Sequence, residues 1–516
     1  MRFDPSHSNA PGTVPYHEPG FVPLVVVLSF LYLAQVARVV ATRVFFAGLL
    51  GEIAVGVVYG PVGKLLHAEW QETFLILGYI GLVLIVFEGG LTLQPRTFLP
   101  QLPMALVVAL IGILMPLAFT FALFSAPAFV CPPLQAFTAG SALASTSLGT
   151  TFSVLRASGP GLSSTAVGEI LKGAALIDDI VALILLSVIQ SLGAGNGGAL
   201  GWTIGRPVVA SIAMALGTPV ALRCLFVPLF RTRRVEKLVE KGGRSGELFL
   251  GVAVLCAFLG IAYYAGTTTL LGAFLAGAFL SALPSPRSSI SFVACWELWI
   301  VPIHEHVLVP FFFASIGFSI PFLDLWTGAR IWRGVVYALL MALGKTVAGT
   351  PIILVDVLRR GRKAAPPAAQ SRPSSAESGA AAPMDASTAA EKGSPGAGAG
   401  PAVEEEGRGE GDAWGRHLVA TTLPAAAFVG LALVARGEIG ILVLQVAAAD
   451  AYSAAADAEP GTTPVLEEEA YLVGIWAVAL CTIAGPVAFG VLIKRVGGRI
   501  RRGRWGDAPP AREQVL

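Results

Sequence analysis

The sequence predicts an all-α polytopic membrane protein of about thirteen transmembrane helices, with inverted repeats and two crossing discontinuous helices. Three observations point there. Of the 516 residues, 55% are hydrophobic and only 13% charged, against about 25% charged in soluble domains. Apolar stretches of spanning or near-spanning length recur thirteen times. The loop charges sort by side when that count is used.

The stretches fall at 21–41, 43–60, 72–91, 103–125, 134–156, 165–193, 204–230, 246–265, 268–283, 303–323, 334–356, 417–447 and 470–493. Residues 231–245 hold six basic residues, Arg231, Arg233, Arg234, Lys237, Lys241 and Arg244. Arg359, Arg360, Arg362 and Lys363 follow the eleventh stretch, and six more basic residues lie between Lys494 and Arg504. The loop 448–469 has six acids and no Lys or Arg. Thirteen spans put all three basic segments on one side and the acidic loop on the other. The N-terminus is then non-cytosolic and the C-terminus cytosolic. The membrane to which that cytosol belongs, plasma membrane or vacuole and endosome, stays open.

The expected organisation is a polar segment at 1–20, a first membrane part at 21–356, a cytosolic loop at 357–416, a last membrane part at 417–495 and a basic tail at 496–516. Residues 364–413 are Ala, Pro, Gly, Ser and Glu with almost no large apolar side chains, which predicts disorder. The tail is expected to anchor against anionic lipid. No cleavable signal peptide is expected, since the first apolar run follows a polar segment without a basic n-region. The net charge of +2 does not indicate nucleic acid, because the basic residues flank apolar spans. The five cysteines show neither a zinc pattern nor a disulfide framework. No GxxxxGK[ST] run is present, so ATP-driven transport is not indicated, and no cofactor is expected.

Candidate functional residues are charges where charge is costly. Asp178 and Asp179 stand in the apolar stretch GAALIDDIVALILLS. A carboxylate near a bilayer midplane costs roughly 2.5–3.5 kcal/mol on insertion scales. Adjacent helical residues point about 100° apart, so one packed interface cannot hide both. Lys345 is central in its span, eleven residues from either end of 334–356. Snorkelling, the plainer fate of a membrane lysine, is difficult from there, and an ion pair with Asp178 or Asp179 is expected.

Two spans read as interrupted. SALASTSLGTTFSVL (Ser141 to Leu155) is dense in Gly, Ser and Thr, and LALVARGEIGILVLQ (Leu431 to Gln445) carries Arg436 and Glu438 in mid-span. Small-residue packing also accounts for the first, whereas Arg436 and Glu438, two apart, do not face each other on a helix and need partners. The triplets beginning at 103 and at 334 are offset by seven spans, an odd number, which inverts one against the other. Each has its interrupted span in the middle, the inverted-repeat plan of secondary transporters.

Glu88 can face a cavity or the interface, and Glu52 sits mid-span in a short stretch. His304, Glu305 and His306 form a polar cluster at an expected boundary; as a metal site it is weak, because i and i+2 diverge on a helix.

These residues carry a resemblance. TSLGTT (Thr146 to Thr151), ALIDDIVALI, PFFFASIGFSI (Pro310 to Ile320), Gly344–Lys345 and RGEIG (Arg436 to Gly440) follow one another on the fifth, sixth, tenth, eleventh and twelfth spans. In that order the chain resembles the monovalent cation/proton antiporter superfamily, in its second branch, which includes bacterial sodium/proton antiporters. FEGGL (Phe87 to Leu91) is similar to the first branch instead, and leaves electrogenic and electroneutral exchange both open. The resemblance implies elevator-like exchange of Na⁺, K⁺ or Li⁺ for protons, in the lipid bilayer, by a homodimer. It implies that Asp179 alternately binds cation and proton and that Asp178 pairs with Lys345. Ser147 and Thr151 would offer oxygen ligands, and Arg436 with Glu438 would set the local electrostatics. Desolvation and a second carboxylate favour the protonated form of an aspartate, while a lysine favours the charged form, so a hard cation can compete with the proton.

Other classes fit less well. An intramembrane aspartyl protease needs aspartates on separate helices, whereas these are adjacent. A potassium efflux channel-like system would share the fold but usually adds a large soluble nucleotide-binding domain. A facilitator for organic solutes leaves the Asp-Asp/Lys set unexplained.

Overall fold

The computed structural model describes residues 18, 20–93, 99–127, 129, 131–147, 162, 165–193, 200–284, 288, 290–364, 418–457 and 465–506. Every regular element among them is helical. The first part of the chain forms α1 (Phe21–Phe45), α2 (Gly48–Val57), α3 (Ala68–Leu91), α4 (Leu102–Phe124), α5 (Pro133–Ala144) and α6 (Ala166–Gly193). There follow α7 (Leu200–Ala221, running on through a wide turn to Phe230), α8 (Arg233–Ala265), α9 (Thr269–Ala282) and α10 (Phe292–Trp299). Then come α11 (Val301–Ser319), α12 (Gly328–Val347) and α13 (Thr350–Ala364). The chain closes with α14 (Leu423–Ala432), α15 (Glu438–Asp457) and α16 (Glu468–Arg502). Among the described residues, nine helices are long and apolar enough to cross a membrane, and four shorter apolar helices accompany them.

Local chemistry sets several boundaries. Proline opens α5, where no backbone N–H is needed. α1 runs past its expected end to Phe45 and stops where Phe46 turns left-handed, φ 58°. This shortens α2 and leaves Glu52 inside it. The basic stretch expected as a loop at 231–245 is largely helical, as the start of α8, with a break at Gly243, φ 55°. α13 continues to Ala364 and α16 to Arg502, beyond the spans expected at 334–356 and 470–493. The remainder of the expected disordered loop lies outside the described residues.

The helices group in two. α3 lies along α9 and α11, α11 along α2, α1 on α2, and α8 on α9, forming one panel. α4 packs on α5, α6 and α12, while α16 packs on α12, α14 and α15, forming a second bundle. α7 leans on both α6 and α9. At the α3–α9 seam a Cβ on Gly90 would fall 2.0 Å from the Phe274 carbonyl oxygen, and one on Gly277 would fall 2.1 Å from that of Phe87. Backbone therefore meets backbone there, as small residues allow between membrane helices.

Candidate functional site

Two helices of the second bundle stop where they cross. α5 ends at Ala144 because Ser145 is extended, with φ −61° and ψ 150°. The other interruption is 433–437, between α14 and α15. The Ser147 N–H donates to the Ala435 carbonyl at 3.0 Å, and Arg436 Nη1 donates to the Ser145 carbonyl at 2.6 Å. Backbone groups freed by one break are thus met by the other, the condition for irregular backbone at membrane depth. Glycine at 437 permits the approach, because a Cβ there would lie 2.6 Å from the Ser147 Cβ.

The crossing also sorts charge along the helix axes. Arg436 lies at the C-terminal end of α5, where carbonyls are left over, and Glu438 opens the first turn of α15. Each sits at the helix end whose dipole suits it. Arg436 is fully buried. Its own carbonyl accepts the Thr482 hydroxyl of α16 at 3.0 Å.

α6 and α12 bring the acidic pair and the lysine here. Lys345 Nζ stands 2.5 Å from Asp178 Oδ2, with both side chains fully buried. Lys345 also donates to the Thr146 hydroxyl at 2.9 Å, and that hydroxyl donates to the same Asp178 oxygen at 2.8 Å. The three groups close a charge-assisted triangle on one carboxylate oxygen. Asp179, one residue on and turned by a helical step, has no such ion pair among the described residues. It is buried, and among the described residues neither its Oδ1 nor that of Asp178 has a hydrogen-bond donor. The charged groups acting on it are Glu438, Asp178 and Lys345.

Of the residues singled out in the sequence, Asp178, Asp179, Lys345, Ser147, Arg436 and Glu438 gather around this crossing. Thr151 lies outside the described residues. Thr146, one hydroxyl among several in TSLGTT and not distinguished by the sequence, is the one that bridges Lys345 and Asp178. Thr482 is a hydroxyl in an apolar run, a signal that was available. Glu88 and His304 are elsewhere, in the panel: Glu88 Oε2 is 3.4 Å from His304 Nδ1 and 3.5 Å from Trp296 Nε1. Glu52 is buried there too, 3.8 Å from Arg38.

An all-helical bundle whose long apolar helices enclose a buried charge cluster at two broken helices is an integral, multi-pass membrane transporter. The profile of the family described as "Sodium/hydrogen exchanger, transmembrane" matches residues 26–365. The chain belongs to that family, which is one of transporters and not of enzymes. The matched span includes Asp178, Asp179 and Lys345, while Arg436 and Glu438 lie beyond it.

Relatives agree. The high-affinity Na⁺/H⁺ antiporter NhaS3 of Synechocystis sp. is 30% identical over 251 residues, 48% of this chain and 50% of that one. This chain thus spans half the length of that relative. The Na⁺/H⁺-K⁺ antiporter GerN of Bacillus cereus is 27% identical over 320 residues, 61% of this chain and 75% of that one. In fold, the chain is similar to the sodium proton antiporter MjNhaP1 of Methanocaldococcus jannaschii, with a TM-score of 0.55 and 15% identity over 93% of this chain and 100% of the other.

Proposed function

We propose that the chain exchanges a monovalent cation, Na⁺ ahead of K⁺ or Li⁺, for protons by alternating access at the crossing. Asp179 is the carboxylate that holds either the proton or the cation. Asp178 is kept by Lys345 and Thr146 as a fixed counter-charge. Ser147 and Thr151 offer oxygen ligands to the cation, and Arg436 with Glu438 sets the field around Asp179.

The observation that supports this reading is the charge balance at the crossing. Lys345 and Arg436 supply two positive charges at the crossing, and Asp178, Asp179 and Glu438 supply three carboxyl groups among the described residues. With all five ionised the cluster is short of one positive charge. A buried uncompensated charge costs several kcal/mol, and one proton or one monovalent cation removes the deficit. Two ligands competing for one vacancy, with the empty site too costly to carry across, give coupled exchange and not leak.

The similarity to NhaS3, a Na⁺/H⁺ antiporter, and to GerN, a Na⁺/H⁺-K⁺ antiporter, favours this over a potassium efflux channel-like system. The basic segments favour a cytosolic C-terminus, and the family resemblance favours a homodimer.

The test is proton flux in proteoliposomes carrying a trapped pH dye, on adding Na⁺, K⁺ or Li⁺. Cation-triggered proton movement in the wild type that vanishes in Asp179→Asn is the expected result. No movement with any of the three cations in folded, inserted protein ends the exchange reading. Movement that survives in Asp179→Asn shifts the carrier elsewhere, first to Asp178.

A further inference from the structure

Far from the crossing, the chain builds a second buried polar junction that the exchange reading does not use. Asp356, on α13, is 8% exposed. Its Oδ2 accepts the Thr422 hydroxyl at 2.7 Å and the Trp505 indole N–H at 3.1 Å. Its Oδ1 accepts the Arg504 guanidinium at 2.8 Å. The Trp505 carbonyl in turn accepts the Val167 N–H at 3.1 Å. Val167 is in the first turn of α6, where an amide has no acceptor within its own helix. The Trp505 ring is buried among residues that include Ala166, Val167 and Ile170.

The sequence makes room for this. Arg504 and Trp505 lie between Gly503 and Gly506, whose N–H closes a turn on the Gly503 carbonyl at 2.8 Å. A Cβ on Gly503 would lie 2.8 Å from the Thr421 Cβ. The basic tail, expected to lie against lipid, is folded onto the protein as far as it is described.

The three elements joined here are those that supply the charge cluster. α13 follows α12, which carries Lys345, after a two-residue interruption, Ala348 and Gly349. Thr422 ends the wide turn that leads into α14 and so to Arg436 and Glu438. Val167 belongs to α6, which carries Asp178 and Asp179. On α6 the eleven residues from Val167 to Asp178 span roughly 16 Å at 1.5 Å per residue; eleven residues also separate Asp356 from Lys345, across the interruption between α12 and α13, and fourteen separate Thr422 from Arg436, across the break after α14.

We propose that Asp356, Arg504 and Trp505 are positioning residues for transport, a clasp that fixes the ends of these three segments and so the spacing of Asp179, Lys345 and Glu438. The proposal rests on the exchange reading above. A carboxylate with three donors, one of them charged, is a strong tie. Changing the shared carboxylate weakens all three of these ties at once, at the ends of levers that reach the crossing.

The test uses the full chain in proteoliposomes, with cation-triggered proton movement followed against Na⁺ concentration and pH. Asp356→Asn is expected to raise the half-saturating Na⁺ concentration about fivefold, the worth of one net hydrogen bond, and to displace the pH profile. Its maximal rate per folded protein is expected to stay near that of the wild type, with Asp356→Glu recovering the wild-type profile. Trp505→Phe keeps the ring and removes only the N–H donor, so it carries the test if Asp356→Asn does not fold. Rates that fall only in proportion to folded protein, with half-saturation and pH profile unchanged, would make the junction a fold support and overturn the proposal. Asp179→Asn, run alongside, separates the two readings: its loss of exchange keeps Asp179 as the carrier whatever the clasp does, and exchange that persists in it moves the carrier, first to Asp178 on the same helix, and leaves the clasp to be judged by its own variants.

Discussion

An eighteen-residue apolar stretch within α7 and one within the α12–α13 segment have the same mean hydropathy, 1.8, yet 6% of the first is buried within the protein and 44% of the second. Lipid tails are as apolar as a protein core, so overall apolarity does not separate a lipid-facing helix from an enclosed one. Smaller features do. α7 presents Trp202, Val209, Leu216 and Val220 outward. α12 turns Gly334, Tyr337, Gly344 and Lys345 inward, against neighbouring helices. The difference lies in what glycine and charge meet: a Cβ on Gly334 or Gly344 would touch Trp476 or Phe119 and Lys345 pairs with Asp178, whereas a Cβ on Gly201, Gly205 or Gly217 of α7 would meet no atom within 4 Å.

The largest expected effect falls on the enclosed side. Lys345→Gln leaves Asp178 buried beside an amide, and losing one member of a buried ion pair costs about 3–5 kcal/mol. The detergent-solubilised variant is expected to melt well below the wild type, and an unchanged melting temperature would mean that the pair contributes nothing to the fold. Ile170→Ala, in the cluster at the start of α6, opens a cavity worth about 2–5 kcal/mol, checked by the same melt. Gly437→Ala forces the two breaks apart, an overpacking cost of about 1–3 kcal/mol, and its exchange rate is expected to fall further than its stability. On α7, Leu216→Ala is expected to change stability by less than about 0.5 kcal/mol. Equal losses for Ile170→Ala and Leu216→Ala would break the comparison, because they would mean that α7 is covered in the assembled protein.

The same contrast explains what could be read from the chain alone. Asp178, Asp179, Lys345, Arg436 and Glu438 stood out because each is a charge inside an apolar run, and the two interruptions stood out by glycine, serine and charge. The partnership of Thr146 did not, since one hydroxyl among several carries no mark of which neighbour it meets. The Ser145 and Ala435 carbonyls, which close the crossing, are backbone groups that any residue would supply. The Asp356 junction was hidden for another reason. Arg504 and Trp505 read as basic and aromatic tail residues suited to a lipid surface, and only the turn at Gly503 folds them back onto α6. The helix ends at Ala364 and Arg502 are not legible because polar and basic helical residues beyond an apolar run look like loop, and the end at Phe45 is not because residues 43–45 read equally well as the start of the next apolar span.

The glycine seam between α3 and α9 has a consequence for observing motion. Where main chain touches main chain at Gly90 and Gly277, no long side chain is available to swing or slide, and the two helices are expected to move as a single plank. That plank is a ruler built into the protein. A label separation read across the seam calibrates noise, and any change read from the seam to α6 belongs to α6.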